Sequence, residues 1–318
     1  MKRRYARDKM TREEWLAARL PNINASEAAI VCGEAPWGSP AVLFAEKKGL
    51  RPPATDTAIF RRGRWSEAAV FEAMTDTYPE WEIQRASVYV VDEDKRQGST
   101  PDGFARAPDR DGIGVVQAKS VSRSAFRQKY LLDPADDITT GEAELPAAYQ
   151  IQTLQDMRLN DVEWGVVPLL IVSEFDWQFR MFDVWLNDAL AVRIDYLIAR
   201  FFREYLDPGI MPPFEPARDS ELVKELYPRD DGTTIDLSLD NVANALVEDF
   251  TEVQAAIKRM RDRESEIKTE LTAKLGAHTY GKLSEGRRLS WKLQHRKAHT
   301  VAASDFRVLR VVKDIVEP

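Results

Sequence analysis

Ser99-Thr100-Pro101-Asp102-Gly103-Phe104 and, a short way on, Val115-Val116-Gln117-Ala118-Lys119 are the stretches on which the fold of this chain turns. Asp102 stands at the turn entering one β run. Gln117 and Lys119 stand two apart on the next, so their side chains leave the same face of a strand. An aspartate, an amide oxygen and an ammonium grouped this way can hold a hard divalent cation and balance the charge of a phosphate under attack. By itself Pro-Asp-Gly is a common turn signal with the aspartate at the surface, so the weight of the reading falls on its surroundings.

Outward from this pair, short β-branched runs at 82–91, 112–121 and 165–173, separated by turn residues, read as strands. Between the second and third, Ala148, Ile151, Leu154 and Met157 recur at helical spacing over 146–160. Strand, turn, strand, helix, strand is an α/β core. A strand over 175–185, antiparallel to the third, leads into an amphipathic helix over 186–206 that ends before Asp207-Pro208. Upstream, Thr11 with Glu14 forms a capping-box pattern for a helix over 11–20, and shorter helices are expected over 26–33 and 40–49, each stopped by glycine. A longer helix from Ile59 to Tyr78 carries Glu67.

The core is expected to span residues 1–206, with the proline-rich stretch 207–236 as a linker or arm. Residues 237–318 read as an extension for assembly or DNA contact: one charge-laced helix of about nine turns stopped at Gly276, then a β-hairpin.

The chain has 318 residues, 44% of them hydrophobic, enough to bury a sizeable core. One cysteine, Cys32, excludes a disulfide framework and a cysteine-based zinc site. No run approaches a membrane span or a signal peptide, so a soluble protein without membrane association is expected, with the cytoplasm as the default for a chain with one cysteine. A net charge of -7 argues against a nonspecific cationic coat on DNA, but the cations cluster: residues 119–130 hold Lys119, Arg123, Arg127 and Lys129 with no acid. Such a cluster is also the ordinary look of a solvated face. His278, His295 and His299 have no cysteine or carboxylate at ligand spacing and read as surface or hairpin residues.

With these patches in place, the chain resembles the PD-(D/E)XK nuclease superfamily, and within it the lambda-exonuclease-like, YqaJ-type viral recombinases. Trp15 to Arg19 with Ser26 resembles the family's opening motif, and Gly63 to Glu67 its helix bearing a supporting glutamate. Ser99 to Gly103 resembles the aspartate motif, Val116 to Lys119 the E-x-K strand, and Pro146 to Gln152 the helix whose glutamine lies by the reacting phosphate. Leu289 to Lys292 and Asp305 to Arg307 resemble the tail of the YqaJ type.

The resemblance implies a restriction-endonuclease-like α/β core, a small mixed sheet flanked by helices. It implies a Mg²⁺-dependent 5′→3′ exonuclease, with Mn²⁺ as a substitute, acting on linear duplex DNA. The setting would be phage-type recombination beside a single-strand annealing protein, and the oligomer a ring-like homotrimer. Asp102, Gln117 and the Ala118 backbone carbonyl would hold the metal; Lys119, Glu67 and Gln152 would be catalytic. Arg19 and Ser26 would bind a terminal 5′-phosphate. Independently of the resemblance, the cation cluster puts Arg123 and Arg127 on the DNA, and Trp37, on a loop near the opening motif, is a candidate to stack on a terminal base.

The departure is Gln117, where the pattern asks for Glu or Asp. An amide oxygen can coordinate a hard cation but brings no charge. Three readings stand: a native, tolerated ligand; a native residue in a protein that binds DNA ends and loads a partner without cutting; or an engineered substitution that traps substrate. A structural reading, with 237–276 as an oligomerising helix, is a further alternative.

Overall fold

The computed structural model describes residues 1–51, 58–130, 136–138, 140–297, 303 and 305–312; His299 lies outside them. The chain divides into two compact units, Met1–Leu226 and Tyr227–Pro318. In chain order the first comprises β1 (Lys2–Ala6), α1 (Arg12–Arg19), β2 (Ile23–Asn24), α2 (Ala25–Val31), α3 (Pro40–Lys47), α4 (Ala58–Thr77), β3 (Glu82–Arg85), β4 (Val88–Asp92), β5 (Gln97–Ser99), β6 (Gly103–Arg106), β7 (Gly114–Val116), β8 (Lys119–Ser122), α5 (Arg123–Lys129), α6 (Ala147–Asn160), β9 (Trp164–Val172), β10 (Trp177–Trp185), α7 (Asp188–Phe201) and α8 (Ser220–Leu226).

This is a mixed α/β architecture. The main sheet runs β10-β9-β7-β6-β3, with β8 also on β9, and a second sheet runs β1-β4-β5-β2. β9 is almost wholly apolar and buried because it is the central strand, antiparallel to β10 and parallel to β7 and β8. The basic start of the chain, in which no element was expected, is β1 on the edge of the second sheet against β4. The run 82–91 is two strands in different sheets, β3 and β4.

The run 112–121 is also two strands, and the cause lies across the sheet. Val116 is opposite Val166 and Lys119 opposite Leu169, so β7 and β8 keep one register along β9. The Val166 carbonyl accepts from the Gln117 amide, so by alternation the nitrogen of residue 168 faces the same way. Residue 168 is proline and has no hydrogen to give, so the ladder opens at Gln117–Ala118. That opening leaves the Gln117 carbonyl without a ladder donor from residue 168, while the Ala118 amide, by the same alternation, faces away from β9.

α6 lies against the open faces of both sheets and is buried on nearly every side, including Thr153, Gln155, Asp156 and Asn160. Its apolar residues meet Ile23, Ala28, Leu43 and Ile194 on one side and Val115 and Val167 on the other. Gln155 Nε2 donates to the carbonyls of Ile23 at 2.9 Å and Gly98 at 3.0 Å, pinning the helix to β2 and β5. The helix expected over 186–206 is α7 followed by a π-helical turn, Phe202–Leu206.

Residues 207–226, expected within a linker, belong to the first unit. Leu222 is buried against Ala41 and Ala45, and buried Asp219 accepts a hydrogen bond from Ser39 Oγ, which also caps α3. Arg218 also donates to the Ala35 carbonyl at 3.2 Å and Glu225 pairs with Arg51 at 2.9 Å, contacts that fix a segment whose prolines erase any periodicity. In the second unit Asp240 caps α9 (Asn241–Leu275), and β11 (Tyr280–Lys282) pairs with β12 (Arg288–Ser290), matching the expected helix and hairpin.

Gly103 is required by packing rather than by the turn. A Cβ there would lie 2.6 Å from the Phe71 ring of α4 and 2.8 Å from the Gln84 carbonyl. Gly103→Ala is expected to lower stability by about 1–3 kcal/mol in urea titration, as overpacking of a close contact does. Phe71→Leu should recover part of the loss, because the ring is the movable obstacle.

Candidate active site

Four elements build the site. The Ala118 amide, on the side of its strand away from β9, donates to Asp102 Oδ2 at 2.9 Å. Asp102 precedes β6 and is hydrogen-bonded into the sheet through its own amide to the Val116 carbonyl. Lys119 Nζ donates to Gln117 Oε1 at 3.1 Å, and Gln152 Nε2 from α6 donates to the same oxygen at 2.8 Å. One helical turn beyond Gln152, Asp156 Oδ2 accepts from Gln117 Nε2 at 2.8 Å, and its Oδ1 accepts from Ser99 Oγ at 2.6 Å. Gln117 and Asp156 are both buried.

The charges are strained by burial. Loss of water pushes the Asp102 carboxyl up to about 6, with Lys119 pulling it back and Glu67 pushing it further. The Asp156 carboxyl is pushed up to about 7, chiefly by burial and against the Ser99 hydrogen bond, with Asp102 adding to the rise. Such a site is short of positive charge, the condition a bound cation relieves. Among the described residues no three His, Cys, Asp or Glu side chains surround a common point as metal ligands. The oxygens at hand are hard: Asp102 Oδ1, which accepts no hydrogen bond from any described group, the Gln117 amide oxygen and the Ala118 carbonyl. That set suits Mg²⁺, which takes few protein oxygens and keeps several waters.

Glu67 on α4 is in electrostatic reach of Asp102 and forms an ion pair with Arg85 at 2.6 Å. Arg19 donates to Thr100 Oγ1 at 3.1 Å, two residues before Asp102, and to Ser26 Oγ at 3.4 Å. Its guanidinium lies 4.5 Å from the Trp15 ring, and burial lowers its pKa below the ordinary value. Half-exposed Trp37 stacks on Tyr149 at 5.8 Å, and the Tyr149 ring lies 5.4 Å from Lys119 Nζ, so Trp37 borders the cluster. Arg123 faces Asp176 at 3.9 Å, and Arg127 donates to the Asp136 carbonyl at 3.1 Å. Ser99 and Thr100 lie in the aspartate motif but are not among its expected site residues, and Asp156 lies in none of the motifs. Asp156 is four residues from Gln152 and so on its helix face, the one signal that could have found it.

These residues occupy one stretch of sequence. Residues 14–163 match the YqaJ-like viral recombinase domain. That YqaJ-like region contains Arg19, Ser26, Trp37, Glu67, Asp102, Gln117, Lys119, Gln152 and Asp156. No curated protein matches the chain. Among solved structures, an alkaline exonuclease (LHK-Exo) from Laribacter hongkongensis is similar at 19% identity and a TM-score of 0.45, over 60% of this chain and 91% of that one. LHK-Exo in complex with dAMP is similar at 18% and 0.46, over 67% and 98%. A phage related exonuclease from Haemophilus somnus is similar at 10% and 0.42, over 59% and 96%. No helix among the described residues is long and apolar enough to cross a membrane.

Proposed function

We propose that this protein is a Mg²⁺-dependent exonuclease that degrades linear duplex DNA from 5′ ends, supplying single strands to an annealing protein in phage-type recombination. The observation that carries the reading is the convergence of Asp102, Ala118, Gln117, Lys119 and Gln152 beside the Arg19–Thr100–Ser26 group. Asp102, Gln117 Oε1 and the Ala118 carbonyl would hold Mg²⁺, which when bound polarises the phosphate and activates water. Lys119 Nζ balances charge developing on the phosphate oxygens and orients the nucleophile. Gln152 presents an N–H to the same place. Arg19, already half-engaged by two hydroxyls, offers its remaining donors to a terminal phosphate. Function in a bacterial cytoplasm and assembly as a homotrimer that encloses the duplex go with this reading.

A second reading draws on Gln117 itself. Its Oε1 already accepts two hydrogen bonds, so ligation of a metal requires one donor to withdraw. A protein in which neither withdraws would bind DNA ends without cutting them. Linear duplex bearing 5′-phosphate or 5′-hydroxyl ends, incubated with Mg²⁺, decides. Degradation that favours phosphorylated ends, and loses that preference in Arg19→Gln, supports the nuclease. Tight end binding with no products from the parent chain or from Gln117→Glu would leave the second reading.

A further inference from the structure

A glutamine at position 117 lacks the charge that a strand carboxylate would bring to a metal, but a carboxylate stands directly behind it. Asp156 is fully buried, and both of its oxygens accept: Oδ2 from Gln117 Nε2 at 2.8 Å and Oδ1 from Ser99 Oγ at 2.6 Å. Asn160 Nδ2 donates to that Ser99 oxygen at 3.0 Å and to the Asp156 backbone carbonyl at 2.8 Å, so the direction of every bond in the chain is set. On the other side, Gln117 Oε1 accepts from Lys119 and Gln152.

An amide has one donor end and one acceptor end, and a carboxylate only accepts. Asp156 therefore forces the NH₂ of Gln117 inward and its oxygen outward, toward Lys119 and Gln152. Inverting the amide would set its oxygen against the Asp156 carboxylate and its NH₂ against two donors. While Asp156 is ionised the pair also conserves charge: a glutamine at 117 and an aspartate at 156 carry together the one negative charge that a glutamate at 117 would carry alone.

We propose that Asp156 is the positioning residue of the site, a carboxylate moved from strand to helix that orients Gln117 and supplies its missing charge, so that Gln117–Asp156 acts as one unit in place of a strand glutamate. This rests on the metal-dependent nuclease reading above. It assigns Gln117 as a native, working residue. It also predicts that simple restoration fails: Gln117→Glu alone sets two carboxylates at hydrogen-bond distance with no donor between them unless one takes up a proton.

The exchanged pair is the test. In Gln117→Glu with Asp156→Asn the asparagine NH₂ donates to the new carboxylate at position 117 and its oxygen still accepts from Ser99, so charge and bond count are unchanged. Mn²⁺ binding by calorimetry and thermal melting in EDTA are measured for the parent, both single variants and the exchange. Asp156→Asn is expected to weaken Mn²⁺ by about tenfold or more, as loss of a ligand-orienting carboxylate does. Gln117→Glu is expected to melt well below the parent in EDTA, and the exchanged pair to recover both properties, to within about threefold in affinity. Parent-like Mn²⁺ affinity in Asp156→Asn, or an exchanged pair no better than the worse single variant, overturns the proposal. Neither readout needs DNA cleavage. A parent that binds Mn²⁺ through this pair yet never cuts DNA removes the nuclease reading and leaves the pair standing.

Discussion

Replacing Lys119 by alanine is expected to slow single-turnover digestion of linear duplex by about 10²–10³-fold, the usual cost of removing one preorganised charge-stabilising donor. Nζ is held at 3.1 Å from Gln117 Oε1 and 5.4 Å from the centre of the Tyr149 ring, so it is positioned before substrate arrives. The loss should fall on the rate at saturating DNA rather than on the DNA concentration needed, because Lys119 opposes charge that develops only as the phosphate is attacked. Lys119→Arg should not restore the rate, since a planar fork cannot replace a compact ammonium between an amide oxygen and a ring. A Lys119→Ala chain retaining most of the parent's rate would remove this residue from the chemistry.

Asp102→Asn is expected to have opposite effects on activity and on metal-free stability. The ordinary value of the carboxyl is 3.8, and in the folded chain burial lifts it to about 6. Between these values the unfolded chain has released a proton that the folded chain keeps, so stability falls as pH rises through the interval. Below both values the carboxyl is neutral in either state and the penalty is absent. Above pH ~7 the penalty is fully present and on the order of 3 kcal/mol. Asparagine carries no charge at any pH and can still accept from the Ala118 amide. In EDTA the variant should therefore be more stable than the parent at about pH 8 and equal to it at about pH 3, by denaturant titration. Mg²⁺ should stabilise the parent at the higher pH and leave the variant unmoved, and activity should be lost. An equal gain at both pH values would mean that packing, not charge, separates the two chains.

Both predictions concern residues found by reading motifs. Asp102, Gln117 and Lys119 were legible because Pro-Asp-Gly and the two-residue spacing on a strand are local patterns. Gln152 and Glu67 were reached only through the family resemblance, and the structure brings Gln152 onto Gln117 across 35 residues. Arg123 and Arg127 came from charge clustering alone; the structure places Arg123 by Asp176 and Arg127 on the Asp136 carbonyl. The match to the YqaJ-like domain ends at residue 163, so residues 207–226 had no such guide. Their place on the first unit rests on Leu222 and Asp219 against α3, contacts that no local pattern announces.

What the sequence by itself determined is the set of local elements and the motif triad: the Thr11–Glu14 cap of α1, the helix of α6, the strands β9 and β10, the capped α9 and the Asp-Gln-Lys spacing. Each depends on residues within about two helical turns or one strand, where periodicity and capping dominate. Only the tertiary structure decided how Gln117 is used. The break of β7 from β8 depends on Pro168, in a neighbouring strand. The partner of the Gln117 amide is Asp156, 39 residues away and brought there by the α6 crossover. A hydrogen bond between buried groups is governed by distance in space, and sequence carries that distance only through the packing of everything between.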